Sequence, residues 1–387
     1  MMKVGIITFQ LAWNCGAVLQ CFALQEYLKG LGHEVQIINY KPDYKLYKYK
    51  KYCNPFLMAQ KEVTSEQSFM ENSKRFSKRF ARTLLNYKSG SEHIRQWKGF
   101  GEFCEKYLNL TEEYHNIEEL KANPPICDVY ISGSDQLWNP KLTNNDLDRA
   151  YFLDFGSNQI KKLTYAISAC ELDYEKYASQ MQGLIDNIDY LSLREKEGKT
   201  ELEQLSKREV SICPDPTFLP NRHVYEKIQV SNVQNVHDYI LVYALEDSNK
   251  NGNSFFDKVL YASKTLGKGI LVICGPRNWP YPVTQIRGVT PEEFLYYIKN
   301  ASYIISNSFH ATVFSILYHK RFSTLGFKNR NTRMAELLKT LGLSSHMVET
   351  AEEIVESLRE EINYIEVESR IAEMQTRGTR YLFEAMK

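Results

Sequence analysis

Apolar positions change their period twice within the first forty residues. Residues 4–8 are a short β-branched run, and a loop follows through Trp13-Asn14-Cys15-Gly16. Val18, Leu19, Phe22, Leu24, Leu28 and Leu31 then recur near helical spacing until Gly32 stops the helix, and residues 34–40 read as a second strand. This is a βαβ unit, and such units build parallel sheets covered by helices. A helical pattern around Phe100, Phe103, Tyr107 and Leu108 comes next, then a strand at 129–132 that ends in the small polar loop Gly133-Ser134-Asp135-Gln136. Strands at 163–168 and 190–194 flank a helical pattern at 181–188.

A charged stretch at 195–209 and the break Pro214-Asp215-Pro216 close this alternation, and a second one begins. Strands are predicted at 239–243, 269–273 and 301–306, and helices at 291–299, 310–317 and 333–341. The charged, periodic stretch 351–387 reads as terminal helices. The pattern therefore predicts an α/β protein with two Rossmann-like domains, residues 1–210 and 211–350, facing a cleft, with C-terminal helices over 351–387. The first βα loop offers only Gly16 toward a G-x-G-x-x-G fingerprint, which disfavours a dinucleotide site.

Composition narrows the class. No apolar run approaches the roughly 18 residues of a membrane span, and residues 1–6 lead into the first strand without a signal-like apolar block. Eight cysteines contain no C-x-x-C pair. Reduced thiols in a cytoplasmic protein without a metal site are the simplest expectation. The net charge of +1 gives no bias toward nucleic acid. Charge is nevertheless uneven, because residues 41–100 carry 14 Lys/Arg against 5 Asp/Glu. There Tyr44, Lys45, Tyr47, Lys48, Tyr49, Lys50, Lys51 and Tyr52 interleave aromatics with amines. Phe76, Phe80 and Leu84 form a helical stripe beside Lys74, Arg75, Lys78, Arg79 and Arg82. Two readings stand: a basic amphipathic helix on an anionic bilayer, or a helix packed on the sheet with a solvated charged face.

Candidate chemistry gathers where strands end. Ser306-Asn307-Ser308-Phe309-His310-Ala311-Thr312 spans a strand and the first turn of a helix. Free backbone N–H groups, hydroxyls and an amide there suit an anion, and a His can exchange protons near neutral pH; the other reading is a helix cap with a structural His. Asp135 could orient or deprotonate a hydroxyl, or simply close a turn. Asn14 and Gly16 stand in the same position at the first βα turn. Arg194, Arg333 and Arg277 compete to bind a carboxylate or phosphate, and an ion pair is the alternative for each.

Taken in order, these loops resemble the polysaccharide pyruvyl transferase family. The resemblance rests on Asn14-Cys15-Gly16-Ala17-Val18-Leu19-Gln20 with Ala23-Leu24-Gln25, and on Gly133-Ser134-Asp135-Gln136-Leu137-Trp138-Asn139. Arg194-Glu195, Asp215-Pro216-Thr217, Ser308 through Ser315, and Arg333 before Leu337-Leu338 and Leu341-Gly342-Leu343 complete it. It implies a glycosyltransferase-B-like pair of Rossmann domains. It also implies transfer of pyruvate from phosphoenolpyruvate to two hydroxyls of a sugar on a cell-surface glycan precursor, forming a cyclic ketal.

On that resemblance His310 is expected as general acid/base and Asp135 as the second catalytic residue. Arg194, Arg333, Arg277, Ser306, Asn307 and Ser308 fall on the donor side, and Asn14, Gly16, Gln136 and Trp138 on the acceptor side. No cofactor is implied beyond phosphoenolpyruvate as donor substrate. The acceptor is expected on a polyprenyl diphosphate carrier, which implies a peripheral contact with the inner face of the membrane and no nucleic-acid partner. Two departures stand out: Ser308-Phe309-His310 occurs where some members have Arg-Leu-His, and Cys15 replaces a usual Tyr. A nucleotide-sugar-dependent glycosyltransferase of the same architecture and a non-catalytic glycan-binding protein remain the alternatives.

Overall fold

The computed structural model describes residues 1–47, 88–228, 230, 236–245, 254–274, 279, 281–326 and 332–387. The first half runs β1 (Lys3–Ile7), α1 (Cys15–Gly30), β2 (Glu34–Tyr40), α2 (Lys88–Tyr107), β3 (Leu110–Tyr114), α3 (Ile117–Ala122), β4 (Val129–Ser132) and β5 (Lys161–Thr164). It continues through α4 (Tyr174–Ile185), β6 (Leu191–Leu193), α5 (Lys199–Ser206) and β7 (Val210–Ile212). The second half has α6 (His223–Glu226), β8 (Tyr239–Tyr243), α7 (Ser254–Leu266), β9 (Gly269–Cys274), β10 (Thr284–Gln285) and α8 (Pro291–Asn300). Then follow β11 (Tyr303–Ser306), α9 (Phe309–Leu317), β12 (Arg321–Leu325), α10 (Thr332–Leu341), β13 (Met347–Val348), α11 (Ala351–Arg359) and α12 (Tyr364–Ala385).

Two parallel sheets result, ordered β3-β2-β1-β4-β5 and β10-β9-β8-β11-β12-β13. Their central strands are apolar, largely β-branched runs buried on both faces, as in Val4, Ile6 and Ile7 of β1 and Ile240, Leu241 and Val242 of β8. Helices covering both faces of a parallel sheet leave such runs no exposure to water. Each sheet reverses its order once, between β1 and β4 and between β8 and β11. Loops at the carboxyl ends of these strand pairs are where open α/β sheets receive ligands. One buried apolar cluster joins α1 and α2 of the first half to α8, α9 and α12, so the halves share a core across the seam.

β7 pairs with β6 in register Leu191 to Val210 through Leu193 to Ile212, so the first half runs past residue 210. Residues 351–387 form the terminal helices α11 and α12, which pack on different halves. The Ser323 hydroxyl of β12 donates to the Ile354 carbonyl of α11 at 3.2 Å. α12, by contrast, returns to the first half, where the Tyr381 hydroxyl donates to the Thr164 carbonyl at 2.7 Å and Gln375 Nε2 to the Phe218 carbonyl at 2.7 Å.

The basic stripe bearing Lys74, Arg75, Phe76, Lys78, Arg79, Phe80 and Leu84 lies outside the described residues, as does Arg277. Of the described members of the Tyr/Lys stretch, Tyr44 and Lys45 turn inward and Tyr47 is exposed. The Tyr44 hydroxyl donates to Asp148 Oδ2 at 2.8 Å, and buried Lys45 sets its Nζ 3.2 Å from the centre of the Phe9 ring and donates to the Tyr151 hydroxyl. An acceptor carboxylate and two aromatic groups offer these side chains more than water does. Among the described residues no helix is long and apolar enough to cross a membrane.

Candidate active site

The two switch-point loops meet. Asn14 caps α1, its Oδ1 accepting from Gly16 N at 3.0 Å and Ala17 N at 3.4 Å. Two residues on, Gly16 abuts the ring of His310 in the first turn of α9: a Cβ at 16 would lie 2.1 Å from His310 Cγ. The absent side chain at 16 makes room for the His310 ring. Ser308 caps α9 through Ala311 N at 3.4 Å, and the Ser306 hydroxyl donates to the Tyr243 carbonyl at 2.6 Å while accepting from Ser308 N. Both hydroxyls thus help to build the turn. Asn307 spends its Oδ1 on Leu245 N, and its buried Nδ2 has no partner among the described residues.

Beneath His310 lies a buried charge array. Asp215 follows β7, its side chain wholly enclosed, and its Oδ1 accepts from Thr217 N and Thr217 Oγ1 at 3.0 and 2.7 Å. Its Oδ2 takes Arg194 Nη1 at 2.7 Å and stands 3.4 Å from His310 Nε2. Arg194 Nε reaches Glu195 Oε2 at 3.3 Å, and Glu195 Oε1 accepts from the Ser168 hydroxyl at 2.6 Å and from Cys170 N. Burial opposes ionisation of Asp215, yet His310, Arg194 and Thr217 outweigh it and hold the carboxyl well below the usual carboxylate range. Burial likewise works against the Arg194 charge, but Glu195, Asp215 and Asp135 more than restore it. Arg194 is therefore a cation already matched by two carboxylates, with one buried nitrogen, Nη2, unpartnered among the described residues.

Phe309 joins the array to open space. Its ring lies 4.3 Å from the Arg194 guanidinium carbon and 5.8 Å from that of Arg333. These residues line a cavity of about 130 Å³ together with Lys196, Asp215 and Arg377. A larger cavity of about 890 Å³ lies elsewhere, between the end of α1 and α12, and its lining is mostly apolar; none of the array reaches it. The structure thus brings Arg194, Arg333, His310 and the 306–308 turn together.

Across the seam, Asp135 sits at φ 82°, a left-handed conformation that short polar side chains tolerate, and its Oδ1 accepts from Gln136 N at 2.9 Å. Gln136 Oε1 in turn accepts from Asn139 Nδ2. Gln20 ties this loop to the first βα turn: its Oε1 accepts from Ser134 N at 3.0 Å and its Nε2 donates to the Thr8 hydroxyl at 2.8 Å. Trp138 requires correction. It is fully buried, stacked on Phe152 at 4.7 Å, with its N–H given to the Tyr151 carbonyl, so it presents no surface to an acceptor. Cys15 is a packing group, its thiol pushed well up by burial and then by Cys274 and Glu292. Asp215, Glu195 and Phe309 escape assignment from sequence. Asp215-Pro216-Thr217 carries a local signal, an Asp whose side chain can accept from the residue two positions on. Among the described residues no three His, Cys, Asp or Glu side chains gather as a metal site.

Comparison with known proteins completes the picture. No curated protein matches the sequence. A Listeria monocytogenes crystal structure described as a UDP-N-acetylglucosamine 2-epimerase is similar in fold, at 10% identity and TM-score 0.51, covering 98% of this chain and 94% of that one. The UDP-GlcNAc 2-epimerase from Neisseria meningitidis bound to UDP-GlcNAc gives 10% identity and TM-score 0.49, covering 100% and 99%. The first likeness shows the glycosyltransferase-B fold and nothing about substrate. The profile of the polysaccharide pyruvyl transferase family matches residues 14–329, a span that holds β4 with its loop, the Arg194–Asp215 pair and the α9 turn. The chain therefore belongs to the polysaccharide pyruvyl transferase family and is a transferase.

Proposed function

We propose that this enzyme moves the pyruvyl group of phosphoenolpyruvate onto two hydroxyls of a sugar in a cell-surface polysaccharide precursor, forming a cyclic ketal and releasing phosphate. The observation that carries the reading is the meeting of His310 with the Arg194–Asp215 pair beside a small cavity lined by further cations, Lys196, Arg333 and Arg377. Its volume of about 130 Å³ equals roughly four waters. A small space lined by cations supports a compact anionic donor such as a three-carbon phosphoester.

The chemistry balances without a cofactor. His310 delivers a proton to the methylene of phosphoenolpyruvate, which creates oxocarbenium character at C2. One sugar hydroxyl attacks C2 and gives up its proton, phosphate leaves with the C2–O bond electrons, and the second hydroxyl closes the ring. The two hydroxyl protons end on the new methyl group and on phosphate. Arg194 and Arg333 would hold the donor anion through charge-assisted hydrogen bonds, and Asp135 and Gln136 would face the acceptor. This reading places the enzyme in the cytoplasm, at the inner membrane face where a polyprenyl-diphosphate-borne acceptor resides. The test is incubation with phosphoenolpyruvate labelled at C3 and a panel of lipid-linked and free glycans, following label and phosphate together. Label in a glycan with matching phosphate release is expected. Transfer from a nucleotide sugar instead, or glycan binding without phosphate release, would overturn it.

A further inference from the structure

We propose that Arg377 of α12 is a donor-binding residue: with Lys196 and Arg333 it forms the open end of the small cavity and takes the donor's phosphate group, while Arg194 Nη2 at the enclosed end takes its carboxylate. This rests on the reading of that cavity as the phosphoenolpyruvate site.

The placement of Arg377 starts from helical spacing. Met374 and Arg377 lie three residues apart on α12, so they share a face, and both line the cavity. Neighbouring residues fix that face against the first half. Gln375 Nε2 donates to the Phe218 carbonyl at 2.7 Å, the Tyr381 hydroxyl donates to the Thr164 carbonyl at 2.7 Å, and a Cβ at Gly378 would lie 3.1 Å from Pro214 Cδ. The helix backbone thus passes close over Pro214, one residue before Asp215. Burial pushes the Cys213 thiol up; the Ser192 hydrogen bond and then the Arg377 charge oppose the rise, so Arg377 acts on a residue of the cavity lining.

The two ends of the cavity differ in charge. At the enclosed end Arg194 spends Nη1 on Asp215 and Nε on Glu195, which leaves buried Nη2 as a donor without a partner among the described residues. One free donor beside two fixed negative charges suits a singly charged carboxylate better than a phosphate dianion. At the other end Lys196 and Arg377 are exposed and Arg333 is half-buried. None of these three side chains makes an ion pair among the described residues. The carboxylate there is Glu336, whose Oε2 accepts from Lys196 N at 3.0 Å. Cations in excess attract the group with the larger charge, and a guanidinium matches phosphate through paired N–H donors. The leaving phosphate then sits at the end that solvent reaches.

The experiment titrates the full chain, without acceptor, with phosphoenolpyruvate in the wild type, Arg377→Gln, Arg377→Lys and Arg380→Gln. Arg380 is exposed on the same helix but lines the larger, apolar cavity, so it carries an equal charge to another place. Arg377→Gln should weaken binding by about 10–100-fold, the loss of a hydrogen bond to a charged group. Arg377→Lys should weaken it less, and Arg380→Gln should leave it unchanged. Unchanged affinity in Arg377→Gln, or an equal loss in Arg380→Gln, overturns the proposal. Phosphoenolpyruvate labelled with 13C at C1 reports both ends of the bound donor at saturation. Arg377→Gln should move the 31P signal and leave the carboxylate 13C signal in place; a carboxylate signal that moves as far or farther overturns the assigned orientation. A wild-type chain that binds no phosphoenolpyruvate defeats the pyruvyl-transfer reading itself, whereas equal binding by the wild type and Arg377→Gln defeats this proposal alone.

Discussion

The backbone of Gly16 lies directly against the imidazole of His310, leaving no space for even a methyl group between the two halves. The requirement is for room, because residue 16 sits in the first turn of an ordinary helix rather than in a left-handed conformation. Gly16→Ala should displace the ring and wedge the seam open. We expect phosphate release from phosphoenolpyruvate to fall by about 10²-fold, the order of loss that ångström-scale misplacement causes. Full activity in a folded Gly16→Ala variant would show that the contact is not part of the working state.

His310→Gln removes the proposed proton carrier while filling similar space. Turnover should drop by about 10²–10⁴-fold with the melting curve little changed. Near-wild-type turnover would remove His310 from the chemistry.

The two arginines beside Phe309 should separate by kind of effect. Arg194→Ala leaves the Asp215 and Glu195 carboxylates enclosed without their cation, and breaking a buried pair costs about 3–5 kcal/mol. Arg333 is only half-buried. Arg333→Ala should therefore raise KM for phosphoenolpyruvate more than KM for the acceptor, at an unchanged melting temperature. Thermal melts beside steady-state kinetics distinguish these outcomes.

Acid should act through Asp215. Its folded-state carboxyl is held below the unfolded value, against burial, by His310, Arg194 and Thr217. Its stabilisation is thus fully present above the unfolded pKa of about 3.9 and is lost as pH falls through the lower folded value. Melting temperatures taken from pH 5 down to pH 2 should fall less steeply in Asp215→Asn than in the wild type. Parallel slopes would show that this carboxylate contributes nothing to acid unfolding.

Trp138 offers a control on the acceptor side. Trp138→Ala should destabilise by about 3–5 kcal/mol, as loss of a large buried aromatic does. The milder Trp138→Phe should leave acceptor KM unchanged. A selective rise in acceptor KM would reinstate Trp138 as a contact.

The strands most legible in the sequence are those buried on both faces. β4 and β8 occupy the expected residues 129–132 and 239–243 because continuous apolar runs have no other economical use in a parallel sheet, and β2 occupies 34–40 with Val35, Ile37 and Ile38 buried beside the exposed Glu34. β3 and β12 went unseen for the opposite reason. Leu110–Tyr114 is an edge strand with two exposed Glu, and Arg321–Leu325 buries Ser323 and Thr324, whose hydroxyls are satisfied by Ser357 and Thr312 from helices α11 and α9. Such partners are distant or helical, and periodicity does not reveal them. The candidate site divides in the same way. The turn at 306–312 and the loop at 133–136 are local patterns, whereas Asp215 gains its place only when Arg194 and His310 are folded onto one of its oxygens.

Helix α12 begins beside the second half, where the Tyr364 hydroxyl donates to the Lys320 carbonyl, and finishes on the first, where Gly378 lets it press against Tyr165. The covalent order of the chain and its physical partition therefore disagree. A chimera that joins the first half of one relative to the second half of another must carry residues 364–385 from the donor of the first half. A cut made between residues 212 and 216 alone would pair α12 with a surface it was not shaped to cover, so the two halves can be exchanged only as a three-part graft.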